Sequence, residues 1–241
     1  MGEKSWWDLW NASYRSEDNG DEISNELFAR TSTIVNDLTR SEGGRILEVA
    51  CGTGRLSRSL AFSSYQGLDI SPTAIEIARQ KGERIQLPVG MSRPTYEAAD
   101  FHDWPLPSEP FDVALCVDAI SCFRDQPLVL KKIARSLRPS GWLVLTTINP
   151  FVYWRIKRTW ENGPVSHWLS RRELHTMVKS AGIDIKRSFT IMPRGNHGIL
   201  RLINSRKLNR ALGRRNEAAV RRLKEQAGFG QYRVVIGRKP E

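Results

Sequence analysis

A glycine turn directly after a short apolar strand constrains the fold of this chain more than any other feature. Residues 45–60 read RILEVACGTGRLSRSL, an apolar run followed by Gly52 and Gly54. Glycine lets the backbone turn sharply and come close to a ligand. We therefore predict a strand at 45–50 that leads through this turn directly into a helix at 54–61.

An acidic residue near the end of a second short strand adds to this pattern. The strand predicted at 65–70 carries Asp69, 21 positions beyond Glu48. In doubly wound folds a carboxylate at the tip of the second strand hydrogen-bonds the hydroxyls of a ribose. Glu48 would repel a pyrophosphate, but it suits a ligand with a cationic amino group and a sulfonium. Since Leu56 and Ser57 stand where a dinucleotide-binding turn carries its third glycine, the loop favours S-adenosylmethionine.

Three segments resemble the motifs of the class I S-adenosylmethionine-dependent methyltransferases. They read EVACGTG at 48–54, GLDISP at 67–72 and AADF at 98–101, in the order and spacing of that family. Ala50 replaces the first glycine of the first motif. The resemblance covers residues 44–238 and implies an α/β fold with a doubly wound, mostly parallel seven-stranded sheet (Rossmann-like). It also implies methyl transfer as the activity and S-adenosylmethionine as the cofactor.

The resemblance assigns roles to single residues. Asp69 would accept hydrogen bonds from the ribose hydroxyls, and Ile70 would lie against the adenine. Asp100 would bind the adenine amino group, with Phe101 beside it. The residues predicted to bind the cofactor are Glu48, Ala50, Cys51, Gly52, Gly54, Asp69, Ile70, Asp100, Phe101, Val117 and Tyr14. A structural explanation stays open for these features, because the glycines also suit an ordinary turn and Asp69 precedes an expected N-cap, Ser71.

Alternating strands and helices organise the rest of the chain. Strands are predicted at 45–50, 65–70, 95–99, 111–117, 142–148, 183–191 and 232–237, and further helices at 72–81, 126–138 and 171–180. Such alternation is typical of a parallel sheet with helices on both faces. We predict an N-terminal helical lid at 1–43 and a methyltransferase domain at 44–241. Cap insertions are predicted at 149–168 and 194–230, the second being a basic helical cap before the last strand.

Four aromatic residues near the N-terminus share a helical spacing. Trp6, Trp7, Trp10 and Tyr14 would lie on one helix, as in an N-terminal helix that closes over a cofactor. The same stripe would also suit packing in a core or an interface. In the first interpretation the Tyr14 hydroxyl reaches the cofactor carboxylate or the acceptor.

Positive charge is concentrated in the C-terminal part of the chain. The net charge is +11 overall, whereas residues 151–241 carry 21 Lys and Arg against 6 Asp and Glu. Both predicted insertions follow the carboxyl ends of strands, where open α/β sheets bind ligands. A positive cap favours an anionic acceptor, such as a phosphorylated, nucleotide-linked, lipid-linked or saccharide compound. Solvated helix faces and contact with an anionic membrane surface are the alternative explanations of the charge.

A basic chain also suggests nucleic acid as a substrate, so an RNA or tRNA methyltransferase is kept as the alternative function. The residues at 116–119 read CVDA, where base-amine methyltransferases carry D/N-P-P-Y/F. Cys122 follows Ser121 rather than the proline that precedes a cytosine-C5 nucleophile. These differences favour a small-molecule acceptor. A protein that binds S-adenosylmethionine without turnover is the non-enzymatic alternative.

Methyl transfer to oxygen or nitrogen requires a positioned acceptor and a base. Asp118, just beyond the fourth strand, is the first candidate, and DAISCF at 118–123 resembles a segment of phosphoethanolamine methyltransferases. The histidine that those enzymes use a turn later is Cys122 here. His167 and His102 are the further catalytic candidates, because an ordinary pKa near 6.5 suits a base at neutral pH. Each also has a structural alternative, His167 as a helix cap and His102 as a brace of the adenine loop.

Cysteine usage and hydropathy complete the expectations. The three cysteines form neither a metal-ligand cluster nor a disulfide framework, so no metal is predicted. The N-terminus lacks an apolar signal segment, and no run approaches the roughly 20 apolar residues of a membrane span. A cytoplasmic protein is therefore expected.

Overall fold

A seven-stranded sheet forms the centre of the molecule in the computed structural model. The structure describes residues 7–8, 22–39, 44–87, 92–152, 167–193 and 217–241. The strands are β1 (Arg45–Val49), β2 (Ser64–Asp69), β3 (Thr95–Ala98), β4 (Phe111–Val117), β5 (Leu137–Ile148), β6 (Asp184–Pro193) and β7 (Gly230–Arg238). The helices in the described ranges are α1 (Glu22–Thr39), α2 (Pro72–Glu83), α3 (Gln126–Ser136), α4 (Arg171–Ser180) and α5 (Glu217–Gln226).

The strand order is β3-β2-β1-β4-β5-β7-β6. Strands β1 to β5 pair in parallel, and β7 lies antiparallel between β5 and β6. The prediction of a doubly wound, mostly parallel seven-stranded sheet is therefore confirmed. The order reverses between β1 and β4, and open sheets of this kind bind ligands in the crevice at such a switch point.

Both faces of the sheet are covered, which explains why the central strands are almost continuously apolar. On one face, Val129 of α3 and Leu174 of α4 join a buried cluster with Leu47 of β1. On the other face, Val35 of α1 packs in a second cluster with Ile46 of β1. Successive β1 side chains thus serve opposite layers, as the pleat of a strand requires.

The expected start of α2 is confirmed by its cap. Ser71 is the N-cap, its hydroxyl accepts a hydrogen bond from the Ala74 main-chain nitrogen at 3.1 Å, and Pro72 opens the helix. Proline suits this position because its missing N–H has no helical partner there. The second strand and the cofactor motif therefore lead into a helix whose beginning is fixed.

The helix predicted at 54–61 is wrong, because the turn leads only into a short 3₁₀ turn at Leu56–Arg58. The Ser57 hydroxyl donates to the Gly54 carbonyl oxygen at 2.8 Å and lies 2.6 Å from the Tyr96 hydroxyl. Serine side chains that bond nearby carbonyls compete with helical hydrogen bonding. The hydrogen bonds of the Ser57 hydroxyl with Gly54 and Tyr96 therefore favour a short turn over the expected helix.

The junction between α3 and β5 also differs from the prediction. Helix α3 ends at Ser136 and β5 begins at Leu137, whereas a helix to 138 and a strand from 142 were expected. Leu137 pairs with Phe111 of β4, and the register shifts before Trp142. This irregularity accommodates the proline and glycine that had indicated a gap between the two elements.

Parts of the predicted lid and cap insertions lie outside the described residues. Helix α1 falls within the predicted lid, whose helical pattern at its C-terminal end is confirmed. Trp6, Trp10 and Tyr14 are outside the described ranges, as are 153–166 and 194–216. The division into lid and domain stays a prediction. In the described part of the chain, no helix is long and apolar enough to span a bilayer.

Candidate active site

A cavity of about 170 Å³ opens at the carboxyl edge of the sheet, at the switch point between β1 and β4. Seven of the residues predicted to bind the cofactor line it: Ala50, Gly52, Asp69, Ile70, Asp100, Phe101 and Val117. Two of the three catalytic candidates, Asp118 and His102, line the same cavity. Each of the first four strands thus ends beside a residue that faces the same space.

The glycine turn forms one wall of the cavity. Ala50 and Gly52 have φ of 59° and 53°, in the left-handed region that favours glycine. Ala50 therefore holds a backbone conformation for which the family's glycine is the unstrained residue. A Cβ atom at Gly52 would meet nothing within 4 Å, so this position leaves open space beside the turn.

Three of the predicted cofactor residues, Glu48, Cys51 and Gly54, lie in or next to the glycine turn but do not line the cavity. Glu48 is buried and its carboxyl accepts a hydrogen bond from the Tyr65 hydroxyl; burial raises the pKa of Glu48 to about 8. Cys51 is buried, and burial raises the pKa of its thiol. Gly54 has a φ of 68°, and a Cβ atom there would lie 2.9 Å from the Tyr96 ring.

Asp69 is held in place by main-chain donors. Its Oδ2 atom accepts from the Gly52 nitrogen at 2.8 Å, and its Oδ1 atom accepts from the Ser71 nitrogen at 3.0 Å. Burial raises the pKa of Asp69, and these hydrogen bonds offset that rise only in part. The carboxyl group therefore bridges the glycine turn and the start of α2 with a fixed orientation.

Asp100 and His102 form a second polar pair in the cavity wall. The Asp100 Oδ1 atom accepts from the His102 main-chain nitrogen at 2.9 Å and lies 2.9 Å from its Nδ1 atom. Arg124 lies 3.6 Å from Oδ2. Partial burial opposes ionisation of Asp100, but the bonds from His102 and the Arg124 charge lower its pKa overall. The His102 ring also packs against Phe123, with centroids 5.8 Å apart. His102 thus braces the loop after β3.

Asp118 is the acidic residue that follows β4. Its main-chain nitrogen donates to the carbonyl and hydroxyl oxygens of Thr146, both at 3.0 Å, and its φ is 56°. The residue is exposed where it opens onto the cavity, while the protein on its other sides desolvates the carboxyl. This desolvation raises the pKa of Asp118 to about 7, although the side chain of Tyr232 acts in the opposite direction. A carboxyl with this pKa suits a general base at neutral pH.

His167 does not line the cavity. It precedes α4, where its Nε2 atom lies 3.2 Å from the Glu173 carboxylate, and its side chain is 58% exposed. Ser170 and Glu173 form a capping box at the start of this helix. The described contacts of His167 therefore match the structural alternative, a residue that supports a helix start, more closely than a catalytic role.

Several cavity residues were not predicted as site residues: Trp7, Leu68, Ala99, Ala119, Cys122 and Phe123. Three of these had a signal in the sequence. Trp7 belongs to the aromatic stripe of the predicted lid, and Cys122 and Phe123 end the segment that also contains Asp118. The others are small or apolar neighbours of motif residues, and their types alone do not indicate a ligand.

Known proteins that resemble this chain include bacterial and fungal methyltransferases. The phthiotriol/phenolphthiotriol dimycocerosates methyltransferase of Mycobacterium leprae (strain TN) is 37% identical over 128 residues, 52% of this chain and 43% of that protein. An O-methyltransferase of Pyrenophora dematioidea is 33% identical over 121 residues, 49% of this chain and 44% of that protein. The chain thus matches less than half of the length of either relative.

A solved structure supplies a likeness over the whole fold. The N-methyltransferase NodS from Bradyrhizobium japonicum WM9, in complex with S-adenosyl-l-homocysteine, superimposes with a TM-score of 0.66. The match covers 98% of this chain and 100% of NodS at 14% identity, so it concerns the fold. In sequence, residues 47–145 match the family model described as a methyltransferase domain. Residues 47–145 are thus similar to a methyltransferase domain, and the fold of the chain is that of known S-adenosylmethionine-dependent methyltransferases.

Proposed function

We propose that the protein transfers the methyl group of S-adenosylmethionine to an oxygen or nitrogen of a small-molecule acceptor. The observation that carries this proposal is the placement of Asp118 in the same cavity as Asp69 and Asp100. A candidate base thereby lies beside two residues that the family motifs assign to the cofactor. Positioning an acceptor and removing its proton are the two tasks that methyl transfer requires of a protein.

The cavity lining fits S-adenosylmethionine, the cofactor of this family. The Asp69 carboxyl accepts main-chain hydrogen bonds from Gly52, Ser71 and Ile70, and a carboxylate with about four lone-pair sites can still accept one from a ribose hydroxyl. Ile70 and Phe101 supply apolar surface for the adenine, and the space beside Gly52 admits a ligand. When bound, the cofactor supplies an electrophilic methyl carbon on its sulfonium.

Asp118 is the residue to which we assign proton removal. Its carboxyl opens onto the cavity, so an acceptor hydroxyl or amine can donate a hydrogen bond to it. With a pKa of about 7 it is a better proton acceptor than an ordinary aspartate and is still substantially ionised at neutral pH. The apolar side chains of Val117 and Phe123 flank it and limit the access of water to the reacting atoms.

We propose that the acceptor atom is an oxygen, with nitrogen as the alternative. One relative is named an O-methyltransferase, and others are named for phthiotriol and phenolphthiotriol dimycocerosates. For the rest of the acceptor, we propose an anionic or saccharide-like compound. The support is electrostatic, because residues 151–241 carry 21 Lys and Arg against 6 Asp and Glu, and positive charge raises the local concentration of anions.

The experiment that tests this function uses the full chain and isotopically labelled S-adenosylmethionine. Calorimetry first measures binding of the cofactor and of S-adenosylhomocysteine. Transfer is then assayed with panels of phosphorylated, glycosidic and neutral hydroxylated acceptors, with RNA as a comparison. We expect cofactor binding and transfer to at least one small hydroxylated compound. Absence of binding would overturn the proposal, and transfer to RNA alone would replace it with the nucleic-acid alternative.

A further inference from the structure

A half-buried arginine lies at the active edge of the sheet without an acidic partner. Arg233 is near the start of β7 and pairs with Thr147 near the end of β5. Its Nη2 atom donates to Asn149 Oδ1 at 2.7 Å, and its Nη1 atom donates to the Leu169 carbonyl oxygen at 3.3 Å. In the part of the chain that the structure describes, no carboxylate forms an ion pair with it. Its guanidinium is therefore held by neutral oxygens.

The positive charge of Arg233 lacks compensation at this place. Burial and the charge of Arg171 lower the pKa of Arg233, but an arginine stays protonated at neutral pH. Buried charges in proteins are as a rule paired with an opposite charge. A guanidinium carries five N–H donors in a planar fork, and two of them serve Asn149 and Leu169. The remaining donors suit the oxygens of a carboxylate or a phosphate, which would supply the missing negative charge.

A second polar group on the same face of β7 also lacks a partner. Gln231 precedes Arg233 by two residues, and side chains at i and i+2 of a strand lie on one face. The residue is only 2% exposed, and its Oε1 atom has no hydrogen-bond partner among the described residues. An unpaired buried polar group costs free energy. Rotation of the amide presents either its oxygen to a ligand hydroxyl or its NH2 group to an anion.

Thr147 connects this face of β7 with the cavity. Its hydroxyl lies 3.0 Å from the hydroxyl of Ser121, and the next residue, Cys122, lines the cavity. The Ser121 carbonyl oxygen accepts from the His167 nitrogen at 3.3 Å, which brings the segment before α4 to the same place. Arg233 is bonded to that segment. The two polar groups of β7 therefore lie next to the cavity wall that Cys122 forms.

The strand order separates Arg233 from the cofactor motifs. Asp69 ends β2, Asp118 follows β4 and Arg233 lies on β7, so Asp118 is between the other two along the sheet. Strands β4 and β7 are two strand spacings apart, about 10 Å. Arg233 is thus on the side of the candidate base that faces away from the ribose-binding motif.

We propose that Arg233 binds an anionic group of the methyl acceptor, a phosphate or a carboxylate, while the atom to be methylated lies at Asp118. The inference deepens the proposed function and rests on it. A separation of about 10 Å requires several bonds between the anionic group and the methylated atom. The acceptor class is therefore an extended hydroxylated acid or phosphate ester rather than a small hydroxy acid.

An NMR titration tests anion binding without an acceptor and without turnover. Inorganic phosphate or acetate is added to the full chain at constant ionic strength, and the Nε–Hε resonance of Arg233 is followed. This resonance is assigned by its absence in Arg233→Lys. We expect a saturable shift with a dissociation constant on the order of 1 mM for the anion whose class the acceptor carries. Arg238, at the exposed far end of β7, is the matched control and should show no saturable shift. Absence of a saturable shift of Arg233 with both anions would overturn the inference.

A charge-removing variant supplies the second measurement. Arg233→Gln keeps an NH2 donor for a neutral oxygen but loses the charge. Anion binding, measured by broadening of the phosphorus signal of phosphate or the methyl signal of acetate, should weaken at least about fivefold. Arg238→Gln should bind within about twofold of wild type. Undiminished binding in folded Arg233→Gln would place the anion elsewhere and reject the proposal. If this variant does not fold, the wild-type titration decides the question.

Steady-state kinetics distinguish a binding role of Arg233 from a structural one. With an anionic acceptor, Arg233→Gln should raise KM at least about tenfold and change kcat less than about threefold. KM for an uncharged analogue should stay within about twofold. Arg233→Lys should recover part of the affinity, because it keeps the charge but loses the planar fork.

A residue that only braces the segment before α4 would affect both acceptors equally. That outcome, or transfer confined to uncharged acceptors, would overturn the inference while leaving methyl transfer intact. Failure of the wild-type protein to bind S-adenosylmethionine would instead reject the proposed function, and the anion titration would still report on Arg233.

Discussion

Two acidic residues in one cavity are given different tasks at the residue scale. Asp69 is fixed by main-chain donors from the glycine turn and from the start of α2. Asp118 lines the same cavity, and its main-chain nitrogen is bonded to Thr146 of β5. The first arrangement suits binding of a neutral sugar, and the second suits proton removal, so substitutions should separate binding from turnover.

We predict that Asp69→Ala weakens S-adenosylmethionine binding at least about 100-fold, because the charge-assisted hydrogen bonding of the ribose and the carboxyl's bonds to the glycine turn are both lost. Asp118→Asn should bind the cofactor within about threefold of wild type but transfer methyl groups at least about 100-fold more slowly. Calorimetry and a labelled-methyl assay measure the two effects. Asp184→Asn, at the exposed start of β6, is the control and should change neither. Equal loss of binding in both cavity variants would contradict this division.

Glu48 predicts a pH dependence of folding stability. Its pKa is about 8 in the folded protein, above the ordinary value of 4.5, because the carboxyl is buried. Between these values the folded state binds more protons than the unfolded state, so the free energy of unfolding falls as pH rises from about 4.5 to about 8. Glu48→Gln can still accept from Tyr65 and carries no charge.

Denaturant unfolding at several pH values checks this prediction. Glu48→Gln should flatten the fall in unfolding free energy across this range and should be more stable than wild type near pH 8. Asp118→Asn is a useful comparison, since Asp118 contributes a fall of the same sign that ends near pH 7. An identical pH slope in Glu48→Gln and wild type would show that Glu48 does not carry this effect.

At the scale of elements, the glycine turn combines backbone geometry with space for a ligand. Gly52 and Gly182 both have positive φ, 53° and 82°, and a Cβ atom at either would meet nothing within 4 Å. Alanine at each should therefore destabilise the fold by a similar amount, about 1–2 kcal/mol, through backbone strain alone. A methyl group added at position 52 would lie at the cavity wall, whereas one added at position 182 would not.

Gly52→Ala is accordingly expected to weaken cofactor binding about tenfold or more, whereas Gly182→Ala should leave binding unchanged. Thermal unfolding measures the shared strain, and calorimetry measures the separate effect on binding. If Gly52→Ala bound the cofactor as tightly as Gly182→Ala does, the turn would not approach the ligand closely.

Secondary-structure elements could be predicted best where a local pattern, such as apolar periodicity or a helix cap, determines the structure. Alternating apolar strands and the capped start of α2 were read correctly, since periodicity and cap chemistry are local. The helix at 54–61 was missed because Ser57 bonds a nearby carbonyl and Tyr96 reaches the turn from β3, a contact that no local pattern records. The acidic cavity residues Asp69, Asp100 and Asp118 could be predicted from motifs. The small and apolar lining residues Leu68, Ala99 and Ala119 could not, because their types alone do not indicate a ligand.

At the scale of the whole molecule, residues 7 and 8 near the N-terminus lie at the cavity edge of the sheet. Trp7 lines the cavity, and the Asp8 carboxylate accepts from the Ser71 hydroxyl at 2.6 Å, at the start of α2. Asp8 is thus bonded to the N-cap of the helix that follows Asp69. An N-terminal lid is the proposal that this contact supports, with Trp7 as the side chain that covers the bound cofactor.

We predict that Trp7→Ala weakens S-adenosylmethionine binding about tenfold, because an aromatic surface over the cavity is lost. Asp8→Asn should weaken it less, since only the attachment to Ser71 is altered. Trp142→Ala is the matched control: Trp142 lies on β5 opposite Val113, near the other end of the sheet, and contacts Arg238. That variant should lose stability without losing affinity. Calorimetry measures the cofactor affinity of the three folded variants. Equal affinity of Trp7→Ala and wild type would show that Trp7 does not cover the cofactor.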